Sequence, residues 1–219
     1  ELGAGYRQIP LHRTGLNPLK DIKTLFSLKK VLKEIKPDLV FSYTVKPIVY
    51  GSIAARMAGI KQMYAMIEGL GYVFTGQNMK QKLLRQLVSF LYHRSLKYNR
   101  AVFFLNPDDK QLFIERGIVP NAVKPVLING IGVNIEKFAF APPKLSPITF
   151  LLIARLIKDK GILEYVEAAR LLKQKYPTVK FQLLGPLDIN PAAITQAQLD
   201  QWSREGVIEY LGKTNDVRP

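Results

Sequence analysis

The chain has 219 residues, 47% of them hydrophobic and 22% charged, so it is long enough to bury a core and too apolar to be disordered. It contains no cysteine and only two histidines, which excludes disulfides, thiolate metal sites, cysteine nucleophiles and a histidine-rich metal centre. No apolar run approaches the roughly 20 residues that a membrane-spanning helix needs. These properties predict a globular protein of the cytoplasm. Because the chain opens on Glu1 instead of Met, we expect it to be a fragment.

The chain is strongly basic, with 32 Lys and Arg against 17 Asp and Glu, a formal net charge of +15. Most of this excess falls in residues 1–146, and no acidic residue occurs between Glu68 and Asp108. Such a surface attracts nucleic acid, anionic lipid head groups or phosphorylated substrates. Charge alone does not choose among these partners.

Short apolar runs alternate with longer segments of helical period, which predicts strand-helix units and a parallel sheet. The dipeptide Asn17-Pro18 supplies an N-cap and a first-turn proline, and therefore opens the first helix. In chain order we predict a helix over 17–36, a strand over 39–43, a helix over 47–59, a strand over 61–67, a helix over 78–98, a strand over 101–105, a helix over 107–117 and a strand over 126–128.

Residues 136–147 contain three prolines, lack a clear period and coincide with the shift in charge, so we predict a domain boundary there. The pattern then restarts as a strand over 148–153, a helix over 161–176, a strand over 179–184, a helix over 191–205 and a strand over 207–211. The predicted fold class is α/β, with two Rossmann-like doubly wound domains at 1–140 and 147–219. Ligands of such domains bind at the carboxyl ends of the strands, in the cleft between the domains.

The segment from Arg155 to Gly161 leaves a predicted strand and enters a predicted helix. Backbone N–H groups at a helix start, together with Arg155 and Lys160, can bind a diphosphate. An ordinary solvated turn explains the same spacing equally well. The spacing alone leaves both interpretations open.

Gly130 and Gly132 follow a predicted strand and suggest a dinucleotide-binding fingerprint at first sight. The third glycine of that motif would fall at Ile135, and the segment continues into a proline-rich stretch instead of a helix, so we reject an NAD site. The two glycines instead predict a close approach to a ligand or a sharp turn.

Two further groups of residues follow predicted strands. Gly69 and Gly71 form a glycine loop that could close over a substrate, although a plain tight turn is the simpler explanation. Thr44 and Lys46 lie where the strand over 39–43 gives way to a helix, so Lys46 could reach a phosphate. A single surface lysine usually has no such role.

The helix over 78–98 is amphipathic at 100° per residue. We predict one apolar stripe, made of Leu83, Leu84, Leu87, Val88, Phe90 and Leu91. We predict an opposite polar face, made of Lys82, Arg85, Gln86, Ser89 and His93. Packing of the stripe on the sheet is favoured over insertion into lipid, and the basic face could rest on anionic head groups.

Several strings together resemble the family 4 glycosyltransferases, most closely the branch that adds galactosyl or N-acetylhexosaminyl groups to lipid-linked oligosaccharides. They are PLHRTGLNPLKDIKTL, FSYTVKPIVYGSIAARMAGI, EGLGYVFTG, ARLIKDKGILEYVEAARLLKQKYP, FQLLGPLDINPAAI and EGVIEYLGKTNDVRP. The resemblance implies a GT-B fold, a UDP-sugar donor, retention of anomeric configuration and no metal or other cofactor. It also implies a lipid-linked or saccharide acceptor, and work at the anionic inner face of the cell membrane.

By this resemblance, Arg155 and Lys160 hold the donor diphosphate and stabilise the departing UDP. Further donor-binding residues are implied at Gly130, Gly132, Gly161, Gly185, Gly212, Thr214 and Asp216. The acceptor side is implied at Thr44, Lys46, Gly69 and Gly71. Members of the family also have an opening strand-helix unit and, later, a pair of glutamates that this sequence does not contain, so we expect both domains to be incomplete here and the 219 residues alone to be inactive.

Two alternatives remain at this point. A UDP-sugar 2-epimerase has the same two-domain fold and binds the same donor, but needs no acceptor. A basic nucleic-acid-binding module would need exposed aromatics for stacking. We expect most aromatics in core positions, and therefore no specific nucleic acid as a partner.

Overall fold

A computed structural model describes residues 3–11, 17–70, 74, 79–143, 146–188 and 192–218. The chain divides into two compact units, Glu1–Gly132 and Val133–Pro219. The division lies just before the proline-rich stretch 136–147 in which the sequence placed the boundary.

Unit one is a parallel sheet with helical connections. Its elements are α1 (Pro18–Ile35), β1 (Leu39–Tyr43), α2 (Val45–Met57), β2 (Gln62–Ile67), α3 (Met79–Leu96), β3 (Ala101–Phe104), α4 (Pro107–Glu115) and β4 (Lys124–Leu127). The sheet order is β1-β2-β3-β4, and every neighbouring pair is parallel. All four carboxyl ends therefore lie along one edge of this sheet.

Two helices of unit one begin at the asparagine-proline signals in the sequence. The Asn17 side chain accepts a hydrogen bond from the Lys20 N–H at 3.1 Å, and Pro18 opens α1. Asn106 does the same for α4, accepting from the Asp109 N–H at 2.8 Å. Each side chain satisfies a backbone donor that the first helical turn leaves without a partner.

The core of unit one is centred on Phe113 of α4. Its ring lies 5.5 Å from those of Phe104 and Tyr92, both in edge-to-face geometry. Ile48 of α2 and Leu96 of α3 are also fully buried in this cluster. The core thus fixes α2, α3 and α4 on the sheet.

Unit two contains β5 (Thr149–Ile153), a 3₁₀ turn (Lys158–Lys160), α5 (Ile162–Lys175), β6 (Lys180–Leu184), α6 (Gln196–Arg204) and β7 (Glu209–Tyr210). Its three strands are parallel, in the order β5-β6-β7. α6 starts later than the sequence predicted, because the Thr195 and Gln198 side chains form a capping box at its N-terminus. Both units are parallel α/β, as the sequence predicted.

The expectation that aromatics mostly occupy the core is wrong. Phe104, Phe113 and Trp202 are buried, but many other rings are exposed, among them Tyr6, Phe26, Phe41, Tyr43, Phe90, Phe138, Phe140, Phe150 and Tyr176. On β1 the reason is strand alternation, which points Phe41 and Tyr43 away from the buried side occupied by Ser42.

The predicted apolar stripe of α3 divides into two in the structure. Val88 is buried in the core, and Leu84 and Leu91 pack against it. Leu83 and Phe90 are exposed, by 68% and 60% respectively, and so is Leu87. These three side chains lie on the outer side of the helix, because α3 meets its neighbours along a strip narrower than its apolar surface.

No helix in the described part of the chain is both long enough and apolar enough to cross a bilayer.

Candidate functional site

The loops at the carboxyl ends of β5, β6 and β7 are joined to one another by backbone hydrogen bonds. Gly185 N donates to Gly212 O at 2.8 Å, which links the ends of β6 and β7. Ile194 N donates to Leu156 O at 2.8 Å and Lys158 N to Ala192 O at 2.9 Å, which links the loops after β5 and β6. The three strand ends therefore present one connected backbone surface.

Gly185 is where two of these loops approach most closely. A Cβ atom at this position would lie 1.8 Å from the backbone oxygen of Ala154. Only glycine leaves room for that contact. The close packing of the β5 and β6 ends therefore requires glycine at position 185. This is a physical reason for the glycine that the resemblance assigned to donor binding.

Arg155 leaves the end of β5 with its side chain 61% exposed. Its Nη1 lies 3.3 Å from Oδ2 of Asp188, whose side chain is only 17% exposed. Asp188 was not among the site residues predicted from the sequence. Its position four residues after the end of β6, at the strand edge that carries Arg155, is the signal that could have identified it.

Lys160 and Gly161 lie at the start of α5. Lys160 ends the 3₁₀ turn and is exposed, and Gly161 has a left-handed backbone with φ of 73°. Gly161 provides no side-chain cap for the first turn of α5, so this turn has backbone N–H groups that could bind an anion. A helix start of this kind, with an arginine and a lysine nearby, matches the requirements of a diphosphate.

Thr214 and Asp216 form a small turn after β7. The Thr214 hydroxyl donates to the backbone oxygen of Asp216 at 2.7 Å and accepts from its N–H at 3.1 Å. The Asp216 carboxylate accepts from Arg218, and these hydrogen bonds lower the pKa of that carboxyl below its ordinary value. Gly212 precedes the turn with φ of 77°. These residues therefore lie at the same strand edge as Gly185.

Thr44, which the resemblance assigns to the acceptor side, has φ of 66° and ψ of 157° at the junction between β1 and α2. A β-branched residue adopts positive φ only where the surrounding structure imposes it, and such strain is concentrated at functional sites. Thr44 is exposed. The strain agrees with a functional role for this junction.

Lys46 is held inside unit one instead of projecting into solvent. Its Nζ lies 2.8 Å from Oδ1 of Asp21, and the two side chains are 14% and 8% exposed. Burial, aided by a hydrogen bond with Asp21 and by its charge, raises the pKa of Tyr50 to about 12. Asp21 thus already neutralises the Lys46 charge that the sequence analysis considered for a phosphate.

A groove of about 640 Å³ opens beside this junction. Thr44 and Lys46 line it together with apolar side chains of the N-terminal segment and α1, which include Ile9, Leu11 and Leu28. The structure therefore places both residues at one concave, largely apolar surface.

The remaining glycines have separate positions. Gly69 follows β2 and has open space where a side chain would project, whereas Gly71 lies outside the described residues. Gly130 and Gly132, with φ of 93° and 77°, lie at the end of unit one, as expected for a sharp turn. Within the described ranges, no three Asp, Glu or His side chains are arranged to hold a metal ion.

Comparison with known proteins confirms the resemblance to family 4 glycosyltransferases. The family described as glycosyl transferase 4-like matches residues 1–104. A relative in Campylobacter jejuni, N,N'-diacetylbacillosaminyl-diphospho-undecaprenol alpha-1,3-N-acetylgalactosaminyltransferase, is 30% identical over 94% of this chain and 56% of its own length. A relative in Escherichia coli, UDP-Gal:alpha-D-GlcNAc-diphosphoundecaprenol alpha-1,3-galactosyltransferase, is 26% identical over 95% of this chain and 56% of its own length.

Solved structures confirm the fold. The match to the apo structure of OtsA covers 93% of this chain and 55% of the OtsA chain, with a TM-score of 0.67 at 14% identity. The match to sucrose-phosphate synthase from Thermosynechococcus elongatus covers 90% of this chain and 50% of the synthase chain, with a TM-score of 0.66 at 16% identity. The match to UDP-GlcNAc 2-epimerase from Methanocaldococcus jannaschii covers 94% of this chain and 58% of the epimerase chain, with a TM-score of 0.50 at 16% identity. The chain has the fold of part of a GT-B protein, and spans about half the length of the curated relatives that it matches.

Proposed function

We propose that the polypeptide containing this chain is a retaining glycosyltransferase. It moves a hexosyl or N-acetylhexosaminyl group from a UDP-sugar to a saccharide carried on a polyprenyl diphosphate, at the cytoplasmic surface of a membrane. The observation that carries this proposal is the similarity, over almost the whole chain, to two transferases whose names specify undecaprenol-diphosphate-linked substrates. The fold alone would not suffice, because an epimerase shares it.

In this proposal the donor diphosphate lies at the start of α5. Arg155 binds its oxygens through two parallel N–H groups, Lys160 adds a point charge, and the uncapped N–H groups of α5 contribute their dipoles. When the sugar departs, negative charge grows on the UDP oxygens. These groups stabilise that charge and supply the electrostatic part of catalysis without a metal ion.

The acceptor side is proposed at the β1-α2 junction. The apolar groove beside Thr44 suits the hydrocarbon part of a lipid-linked substrate, since apolar surface there is lost from water when such a ligand binds. Lys46 fixes the start of α2 through Asp21, and one of its remaining N–H groups can donate to an acceptor oxygen.

The experiment that tests the function uses the full polypeptide with radiolabelled UDP-sugars and a short polyprenyl-diphosphate-linked saccharide. We expect labelled lipid-linked product only when both substrates are present. Conversion of the UDP-sugar into its 2-epimer without acceptor would instead establish the epimerase. Release of UDP at the same rate with and without acceptor, with neither labelled lipid-linked product nor 2-epimer, would contradict both functions. The same assay with EDTA tests the metal-free proposal, which predicts an unchanged rate.

A further inference from the structure

We propose that Asp21 is a positioning residue for the acceptor. It holds the ammonium group of Lys46 at the wall of the groove, where the other N–H groups of that lysine bind an acceptor oxygen. The inference rests on the proposed function, because it concerns the acceptor side at the β1-α2 junction. It gives a role in binding to a carboxylate that is buried inside unit one.

The Asp21 carboxylate is not part of the cap that opens α1, since Asn17 makes that cap. The helix α4 begins with the same asparagine-proline pair, and there the buried carboxylate of Asp109 accepts from the Asn106 side chain at 2.9 Å, within the cap. Asp21 and Asp109 are equally buried, at 6% and 7% exposure. Asp21 instead reaches a different helix, where it contacts Lys46 of α2. Its burial therefore serves the contact between α1 and α2.

Asp21 contacts two successive turns of α2. Its Oδ1 lies 2.8 Å from Nζ of Lys46, and the hydroxyl of Tyr50 is hydrogen-bonded to the same carboxylate. Lys46 and Tyr50 are four residues apart, so they lie on the same side of the helix. A long lysine side chain loses rotamer entropy when it is ordered. Because Asp21 already orders Lys46, a ligand that binds the lysine does so at a smaller entropic cost.

Lys46 has hydrogen-bond donors left for a ligand. An ammonium group carries three N–H donors, and among the described residues Asp21 is its one hydrogen-bond partner. The side chain borders the groove although it is only 14% exposed. Hydrogen bonds are electrostatically stronger beside apolar surface than in water. An acceptor oxygen placed in the groove would therefore be bound by the two remaining donors.

Stability alone does not account for a buried ion pair between α1 and α2. Replacing such a pair by apolar side chains of similar size is often neutral or stabilising. An ammonium group kept in the wall of an apolar groove, however, needs a carboxylate beside it as counter-charge. The pair of Asp21 and Lys46 therefore fits a binding role better than a purely structural one.

The test is a double-mutant cycle in the full polypeptide, measured by calorimetric titration with a short polyprenyl-diphosphate-linked saccharide and no sugar donor. We expect Asp21→Asn and Lys46→Met each to weaken acceptor binding about tenfold, as loss of a charge-assisted hydrogen bond does. The double variant should lose no more than Lys46→Met alone, because Asp21 acts through the lysine. Since the double variant has no unpaired buried charge, its weak binding would not reflect instability.

The matched control is Asp109→Asn, which removes an equally buried carboxylate that does not border the groove in the described part of the chain. It should leave acceptor binding unchanged, and UDP binding should be unchanged in every variant. Normal acceptor binding by the double variant, or losses that add to about a hundredfold in it, would overturn the proposal. Equal binding by all variants would overturn this inference alone, whereas no binding by the unmodified polypeptide would overturn the proposed function as well.

A second titration identifies the oxygen that Lys46 binds. It uses the same saccharide on an uncharged alkyl carrier, which lacks the diphosphate. If the oxygen belongs to the saccharide, Lys46→Met should weaken binding of this ligand about tenfold as well. If it belongs to the diphosphate, the loss should appear only with the diphosphate-linked acceptor.

Discussion

The guanidinium of Arg155 lies 3.3 Å from the carboxylate of Asp188, measured from Nη1 to Oδ2. The pair sits at the carboxyl edge of the unit-two sheet, where the donor diphosphate is proposed to bind. A diphosphate arriving there must share the guanidinium with a carboxylate of the same sign as itself. Asp188 therefore keeps Arg155 in place and at the same time lowers its attraction for an anion.

We expect Asp188→Asn to tighten UDP binding about threefold, because it removes one negative charge beside the diphosphate at a partly exposed site. Calorimetric titration of the full polypeptide with UDP measures the change. Asp200→Asn, on the exposed side of α6, is the matched control and should have no effect. Weaker binding in Asp188→Asn would mean that holding Arg155 in position matters more than the charge.

Arg155→Ala and Lys160→Ala should each lower UDP-sugar turnover about 100-fold or more, as loss of one charge-stabilising group does in other enzymes. The neighbouring Lys158→Ala is the control, since Lys158 is also exposed in the same 3₁₀ turn. Initial rates at saturating acceptor measure the effect. Rates near those of the unmodified protein in both variants would remove the diphosphate assignment.

Gly185→Ala should destabilise unit two by about 3 kcal/mol, because the new methyl group would overlap the Ala154 backbone oxygen. Gly206→Ala is a useful control, with φ of 67° and open space around it. It should cost only about 1 kcal/mol, for the backbone conformation alone. Urea unfolding followed by Trp202 fluorescence reports on this unit. Equal losses in the two variants would contradict the close approach.

Lys46→Met should destabilise unit one by about 3 kcal/mol, because it leaves the Asp21 carboxylate buried without its partner. The double variant Asp21→Asn, Lys46→Met should recover most of that loss. Lys23→Met removes an exposed lysine of α1 and serves as the control. Urea unfolding followed by far-UV circular dichroism measures all three. A small effect of Lys46→Met would mean that the pair contributes little to the stability of unit one.

The raised pKa of Tyr50, about 12, predicts a loss of stability in alkali. Below the ordinary tyrosine pKa near 10 the phenol is neutral in both states and has no effect. Above it the unfolded chain ionises while the folded chain does not, so the free energy of unfolding falls as the pH rises towards 12.

Urea midpoints at about pH 9 and about pH 11 measure this loss, which should be smaller in Tyr50→Phe. A residual loss should remain, because burial also raises the pKa of Tyr92 and Tyr165. An identical loss in Tyr50→Phe and the unmodified protein would contradict the assignment.

The sequence predicted the order of strands and helices well, because local signals determine it. Asn17-Pro18 and Asn106-Pro107 begin helices for reasons contained in a few adjacent residues. The later start of α6 also has a local signal in the sequence, the Thr195 and Gln198 capping pair.

Features that depend on packing could not be predicted in this way. Leu83 and Leu84 are adjacent in the sequence and equally apolar, but only the position of the neighbouring elements makes one exposed and the other half-buried. Lys46 and Asp21 are 25 residues apart, and Arg155 and Asp188 are 33 apart. The strand pattern places Asp188 at the sheet edge that carries Arg155, but no local pattern specifies that these two side chains, or Lys46 and Asp21, form a pair.

The hydroxyl of Tyr165 lies within hydrogen-bonding distance of two backbone oxygens, 2.9 Å from Phe150 and 3.0 Å from Gln182. It thereby anchors α5 to β5 and β6 together. This hydroxyl resists movement of α5 relative to the two strands, and the backbone hydrogen bonds of Leu156 and Lys158 hold the segment between Ala154 and Gly161 as well. A ligand at this edge would therefore meet a backbone that is already in place.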